Sequence, residues 1–304
     1  MPTHSAPRSR AACAPSFSSI QPRRAALIGV ALSSVTLLAA CGGGGGGSEP
    51  APVDTTPVVN DVSYDRLSFA RLSTFTLTGE NLAEVTVAAT GCTGLAELAG
   101  GTATQRRFTC TPDNTLRVQI NATQAGTAYS VSSWTVLTPI VRLATSAGDI
   151  VVELDPAKAP VTVRNFLDYV NANFYNGTIF HRLVAGFVNQ GGGFTGVLGN
   201  TLVPQTNLRA PIALEVGTGL SNLRGTIAMA RGAEVASATS QFFFNVADNV
   251  ALDTQAGGYA VFGKVSSASL PVLDAINGVA TRSVGLYTGV PVTDIVVQTA
   301  TQLR

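Results

Sequence analysis

The sequence predicts a mainly β protein, a β-sandwich followed by a barrel whose open ends two helices cover. Three observations predict it. Short apolar, β-branched runs alternate with Gly and Asn turns along residues 58–138, the pattern of a sandwich. A fresh set of strand patterns begins after Pro139. Only two segments in that second set carry helical spacing, which suits helices laid over the ends of a barrel. The composition agrees: 304 residues, 45% hydrophobic, 12% charged and 31 glycines describe a globular chain long enough for one or two domains.

The front of the chain reads differently. Arg23-Arg24 precede an apolar run rich in Ala, Leu and Val over residues 25–40. Such a run is short for a spanning helix, which needs about 20 residues. Basic residues and then a short apolar core describe a secretory signal over 1–40. The run ends Leu38-Ala39-Ala40-Cys41, which resembles the lipobox of bacterial lipoproteins and implies lipidation of Cys41. The alternative is a cleaved signal with an incidental Cys. Six glycines and a Ser-Glu-Pro-Ala-Pro stretch come next, so 41–57 reads as a tether that cannot form a core. A tether beginning at an acylated Cys suits a membrane anchor, and Gly42 after the Cys resembles lipoproteins sorted to the outer membrane. The Arg pair also suggests twin-arginine export, but Ala25-Ala26-Leu27 fit that pattern poorly and favour the general secretory route. The expected location is the cell envelope, lipid-anchored and facing the periplasm.

Charge and metal-ligand counts narrow the function classes. The net charge is +1, and removing the four arginines of residues 1–40 leaves 15 basic against 18 acidic residues. Outside that segment no Lys/Arg cluster stands out, so the chain lacks the footprint of a nucleic-acid binder. Only His4 and His181 are histidines, which does not supply a multi-His zinc site. No metal and no cofactor are expected.

In the first domain, 58–138, the runs starting at Phe75, Val85, Thr115 and Tyr129 read as strands. The segment Phe75-Thr76-Leu77-Thr78-Gly79-Glu80-Asn81-Leu82 resembles the G-x-N-L turn of immunoglobulin-like IPT/TIG domains, which implies an Ig-like sandwich. Cys92 and Cys110, the remaining cysteines after Cys41, are expected to pair in an oxidising envelope. A reduced pair of core thiols is the alternative, and two thiols without His are too few for a metal. Trp134 reads as a core or inter-domain residue.

The second domain, 139–304, opens with two apolar runs flanking Ser146-Ala147-Gly148-Asp149, a hairpin by alternation and turn chemistry. Val163, Phe166, Leu167 and Val170 fall at i, i+3, i+4, i+7 and predict a helix. Asn176-Gly177 marks a turn, and the segment from Leu270 to Gly278 reads as a second helix with a Gly stop.

Four blocks in this domain carry chemistry. The first runs Phe180-His181-Arg182-Leu183-Val184-Ala185-Gly186-Phe187-Val188-Asn189-Gln190-Gly191-Gly192-Gly193-Phe194-Thr195. Then come Gly225-Thr226-Ile227-Ala228-Met229-Ala230-Arg231, Ser240-Gln241-Phe242-Phe243-Phe244-Asn245 and Tyr259-Ala260-Val261-Phe262-Gly263-Lys264-Val265. In order and spacing they closely resemble the signature of cyclophilins, over nearly the whole of 139–304, and Met229-Ala230-Arg231 with Tyr259 lean to bacterial envelope members. The resemblance implies an eight-stranded antiparallel barrel capped by two helices, peptidyl-prolyl cis-trans isomerase activity, and proline-containing exported polypeptides as partners; a monomer is expected. It implies Arg182 as the catalytic cation approaching the prolyl nitrogen. Phe187, Val188, Phe243 and Leu252 would form the proline pocket, with Gln190 positioning Arg182. Gln241, Ala230 and Arg231 would contact residues before the proline, with Tyr259 and His181 also at the substrate site.

Isomerisation moves no proton, so His181 is not needed as an acid or base, and no G-x-S-x-G elbow is present. The glycines from Gly191 to Gly196 satisfy G-x-G-x-x-G, but Val197-Leu198-Gly199-Asn200-Thr201 lack helix character, so a dinucleotide site is rejected. The chain departs from common family residues at Val188, Gly193, Arg231 and Ala251. Ala251 stands where many eukaryotic members have a Trp that favours cyclosporin, so weak sensitivity is expected. A different class of function remains: a non-catalytic peptide-binding or adhesion lipoprotein using the same fold.

Overall fold

The computed structural model describes residues 54–113 and 117–304. The expected signal, Cys41 and the tether up to residue 53 lie outside the described residues, as do Thr115 and Leu116 of one predicted strand.

Residues 58–134 form two antiparallel sheets around one core. Four strands lie in the spatial order Val58–Tyr64, Ser73–Glu80, Gln105–Pro112, Cys92–Glu97; three more lie in the order Thr86–Thr90, Val118–Gln124, Thr127–Trp134. Side chains alternate across a strand, and the sequence exploits this. Phe75 and Leu77 on one sheet, and Val118, Ile120 and Ala122 on the other, are buried together with Leu82, Val85 and Phe108. The strand expected at Val85 begins at Thr86 and runs to Thr90, because Val85 closes a short 3₁₀ turn from Leu82. Asn81 takes a left-handed backbone (φ 54), which Asn tolerates best after Gly. Its side-chain amide donates to the carbonyl oxygens of Asp54 (2.9 Å) and Thr56 (3.0 Å), so residues 54–56 are pinned to the sandwich. Cys92 and Cys110 form a disulfide with Cα atoms 5.8 Å apart. Trp134 packs its ring 5.5 Å from Tyr64 and 5.6 Å from Phe75.

The second half is one eight-stranded antiparallel sheet. Its spatial order is Phe180–Val184, Val188–Gly191, Phe242–Asn245, Thr226–Met229, Val261–Val265, Gly148–Leu154, Ile140–Thr145, Val297–Gln302. The sheet curls until its edges meet: an antiparallel bridge joins Ile179 to Val296, and Phe180 N–H donates to Ile295 O at 2.9 Å. The predicted hairpin pairs Thr145 with Gly148 through Ile140 with Glu153. Helix Pro160–Asn171 has Pro160 in its first turn, where the missing N–H costs nothing. It buries Val163, Phe166, Leu167 and Val170, with the Phe166 ring 5.2 to 5.6 Å from Tyr175, Phe242 and Phe262. Helix Leu270–Asn277 buries Leu273 and Ile276. Asn189, buried in its strand, donates to Leu273 O (2.9 Å) and accepts from Asn277 (2.7 Å), tying that helix to the sheet.

Two further hairpins, Phe194–Leu198 with Thr201–Pro204 and Thr281–Val284 with Tyr287–Pro291, share a small core of Ile179, Phe194, Leu202, Val284 and Val290. The two halves of the chain meet at Gln302. Its buried amide donates to Phe69 O (3.0 Å) and accepts from Asn171 (2.8 Å), while Ser68 and Leu137 form a parallel bridge. Among the described residues no helix is long and apolar enough to cross a membrane.

The disulfide closes a loop with a sequence separation of 18, which in the chain-entropy model stabilises by about 3 kcal/mol. Replacing both cysteines by Ser is expected to lower the denaturant midpoint of the 58–134 region accordingly. Equal midpoints with and without the disulfide would show that the loop is already constrained in the unfolded chain.

Candidate active site

One strand feature sets up the site. Phe180 pairs with Gly191 and Arg182 with Gln190, so His181 is an extra residue, a β-bulge. A bulge re-aims the side chains after it. Phe180 and Leu183 both enter the main core, and His181 and Arg182 both fall on the opposite face. The neighbouring strands alternate through the residues that face the site, and Val261–Val265 carries a bulge of its own beside Ile227 and Ala228. Phe242 and Phe244 point inward and Phe243 outward; Ile227 and Met229 inward and Ala228 outward; Phe262 inward and Val261 outward. The outward residues Val188, Ala228, Phe243, Leu252 and Val261 form an apolar cluster of their own, with Phe187, Leu220, Ala230 and Tyr259 packed against it.

Above this cluster lies a cavity of about 270 Å³ lined by Arg182, Phe187, Val188, Gln190, Ala230, Arg231, Phe243, Leu252, Gln255 and Tyr259. It suits a small apolar ring better than a large ligand. Loops complete it. Asn249 donates to Phe187 O at 2.9 Å. Asp253 accepts from Ser221 and from both the backbone N–H (2.8 Å) and side chain (2.7 Å) of Asn222, which fixes the 3₁₀ turn that carries Leu252. Burial pushes the Asp253 carboxyl up, but the hydrogen bonds from Ser221 and Asn222 outweigh it and hold the group below its ordinary value.

The two arginines of the wall differ. Arg231 lies 4.8 Å over the Tyr259 ring. Its three guanidinium nitrogens all donate to backbone carbonyls, among them Gly232 O and Gly258 O, both at 3.0 Å. Its donors are therefore engaged within the chain, where the sequence pointed to contact with substrate. Arg182 Nη1 donates to Gln190 Oε1 at 3.2 Å, and Gln190 Nε2 donates to Gln241 Oε1 at 3.0 Å. Among the described residues no carboxylate pairs with Arg182. The site thus holds an uncompensated cation, aimed by an amide, at the rim of an apolar pocket.

Nine of the eleven residues expected at the substrate site line this cavity. Gln241 lies behind Gln190 and reaches the cavity through it. His181 departs from the expectation of substrate contact: it is 3% exposed, outside the cavity wall, with its ring 4.6 Å from Phe194. The bulge that turns Arg182 outward leaves His181 under the Phe194 hairpin. Gln255 lines the cavity and escaped the sequence reading, because a polar residue in a loop carries no periodic signal. The Gly191–Gly196 run joins two strands and opens no helix. Among the described residues no three His, Cys, Asp or Glu side chains cluster as metal ligands.

Burial pulls the His181 pKa down to about 4, so the ring is neutral at pH 7. The unfolded chain, with an ordinary His near 6.5, then binds more protons than the folded chain between about pH 6.5 and 4. The linked stability is fully present above pH 6.5 and is lost as pH falls through that window, on the order of 3 kcal/mol in all. Urea unfolding of the protein and of His181→Phe from about pH 7.5 to about pH 4 measures it; the wild-type curve should fall more steeply, and parallel curves would exclude the effect.

Residues 140–302 match the protein family described as cyclophilin type peptidyl-prolyl cis-trans isomerase/CLD. Over 176 residues the chain is 51% identical to peptidyl-prolyl cis-trans isomerase A of Dickeya dadantii (strain 3937), covering 57% of this chain and 90% of that protein. It is 45% identical over 163 residues to the peptidyl-prolyl cis-trans isomerase of Acinetobacter baylyi (53% of this chain, 84% of that one). To peptidyl-prolyl cis-trans isomerase B of Escherichia coli (strain K12) it is 44% identical over 167 residues (53% and 98%). The curled eight-stranded sheet, the apolar pocket on its outer face and the match over 140–302 together place this chain in the cyclophilin-type peptidyl-prolyl isomerase family.

Proposed function

We propose that residues 139–304 are an active peptidyl-prolyl cis-trans isomerase, and that the observation carrying this is Arg182 standing uncompensated beside the apolar pocket. Rotation about an X-Pro bond is slow, tens to hundreds of seconds, because the amide has partial double-bond character. A catalyst must bind the twisted amide better than either planar form. Twisting localises a lone pair on the prolyl nitrogen. With the proline ring between Phe187, Val188, Phe243 and Leu252, the Arg182 guanidinium donates to that nitrogen more strongly as resonance is lost. The donor is already oriented by Gln190, so little reorganisation is needed during the rotation. Gln190, Ala230 and Tyr259 serve the substrate backbone around the proline, and Arg231 shapes the groove by closing the loop that ends at Tyr259. The chemistry requires no nucleophile, metal or cofactor.

The rest of the chain extends this reading. Residues 1–40 act as a signal peptide, Cys41 carries the lipid, and the glycine tether leads to residues 58–138, an Ig-like domain. The protein is then a monomeric envelope lipoprotein whose clients are proline-containing exported polypeptides. The lipobox-like Leu38-Ala39-Ala40-Cys41 and the disulfide, which suits an oxidising compartment, support this.

The test is proline isomerisation in a short Ala-Pro peptide by the fragment from residue 54. Arg182→Ala is expected to lose roughly 100-fold or more in kcat/KM, the scale of removing one preorganised donor, while still binding the peptide. Equal turnover in wild type and Arg182→Ala would overturn the mechanism. A folded wild-type fragment that binds the peptide without accelerating isomerisation would move the assignment to a peptide-binding lipoprotein.

A further inference from the structure

The wall of the cavity carries charge of one sign. Arg182 and Arg231 line it, and none of its other lining residues is an aspartate or a glutamate. Among the described residues no ion pair involves either arginine. Arg182 donates to the neutral amide of Gln190. Asp253 follows Leu252 of the wall, but both of its oxygens accept from Ser221 and Asn222. Glu234, three residues after Arg231, is exposed.

Arg231 is held in an unusual way. A guanidinium has five N–H groups, and Arg231 makes five hydrogen bonds, all to backbone carbonyls. Gly232, Ala233 and Ala256 accept one each, and Gly258 accepts from two nitrogens. The guanidinium also lies over the Tyr259 ring. Nothing is left to donate to a substrate. Carbonyl oxygens carry only partial charge, however, so these bonds fix the cation without neutralising it, as a carboxylate would. A cation fixed at the wall of a partly apolar cleft projects its field into that cleft, where a substrate must lie.

We infer that this wall selects substrates by charge, favouring an acidic residue within about two positions of the proline over a basic one, with Arg231 as the specificity-determining residue. The inference rests on the isomerase reading above and adds a substrate class to it. The span follows from size: a cavity of about 270 Å³ is roughly 8 Å across if taken as a sphere, the reach of about two extended residues. Arg231 has no N–H free, so it attracts a carboxylate through space, equally in the planar and twisted states of the amide. Such uniform binding shows in KM and leaves kcat unchanged.

The experiment measures kcat and KM of the full chain for three otherwise identical peptides with Glu, Ala or Lys immediately before the proline. Each is assayed at about 20 mM and about 500 mM salt. At low salt the Glu peptide is expected to exceed the Lys peptide about tenfold in kcat/KM, mostly through KM, with Ala between. At high salt the ratio should shrink to about twofold, because screening then acts within a few ångströms. Arg231→Gln removes the charge and should cut the low-salt ratio to about threefold, the remainder coming from Arg182. Arg231→Lys keeps the charge without the planar fork and should hold the ratio near the wild-type value. Both variants loosen the Ala256–Gly258 loop and lose overall rate, so the ratio, not the rate, separates charge from packing. Equal values for Glu and Lys peptides in the wild type would overturn the inference. So would a ratio that Arg231→Gln leaves unchanged, or one that falls equally in Arg231→Lys. Were the wild type to accelerate none of the peptides, the isomerase reading alone would fail, and the dissociation constants of the same peptides would decide: tighter binding of Glu than of Lys at low salt upholds the inference, and equal constants or no binding refute it.

Discussion

Strand Phe180–Val184 contains one residue more than its partner strand can match, and the arrangement of the site depends on where that residue falls. Without the bulge, residues 180, 182 and 184 would share a face, and a guanidinium would be directed into a core of phenylalanines. An unpaired buried charge there would cost several kcal/mol. With His181 as the surplus residue, Phe180 and Leu183 fill the core and Arg182 stands on the outer face beside Gln190. The surplus residue must itself be buried, and the Phe194 hairpin covers it. That cover explains both why His181 has lost its contact with solvent and why its proton affinity is depressed.

The same sheet separates two apolar clusters with different tasks. Inward residues such as Phe166, Phe242, Phe244 and Phe262 bury completely and stabilise the fold. Outward residues such as Val188, Phe243 and Leu252 make a smaller cluster that stops short of closing, and the unfilled space is the cavity. Packing of the first cluster holds the strands, and the strands hold the second cluster rigid enough to prefer one geometry of a bound ring. A site built on strands in this way keeps its shape better than one on loops. The loop-borne members, Phe187 and Leu252, are accordingly tied back by Asn249 and Asp253.

Parts of this were legible in the sequence for identifiable reasons. Helix Pro160–Asn171 showed its buried face through the spacing of Val163, Phe166, Leu167 and Val170, and the Ile140–Leu154 region showed its turn chemistry. The groove residues were reached through resemblance of four blocks, not through periodicity, since Phe242, Phe243 and Phe244 read alike although they face opposite ways. Register and bulges decide such cases, and they are set by pairing with distant strands. The Phe194 and Thr281 hairpins, Gln255 in the cavity wall and Gln302 at the junction were invisible for the same reason. The hairpins are short local pairs whose shared core of Ile179, Phe194, Leu202, Val284 and Val290 forms only when distant segments meet, and a lone glutamine announces no partner. Asn81, a residue of the turn motif, captures the backbone of Asp54 and Thr56, a contact that the turn signal alone did not announce.

That capture has a mechanical consequence. Strand Val58–Tyr64 begins beside Gly79 and Glu80, near the Asn81 clamp, and ends at Tyr64, against Trp134 and close to where Phe69 meets Gln302. Seven residues of strand span roughly 20 Å. The chain therefore enters the sandwich at one end and is handed to the isomerase half at the other. Along the chain the sandwich thus lies between residue 54 and the groove, with Gln302 tying the two regions by its hydrogen bond to Phe69 O and the Ser68–Leu137 bridge holding the connecting segment to the sandwich.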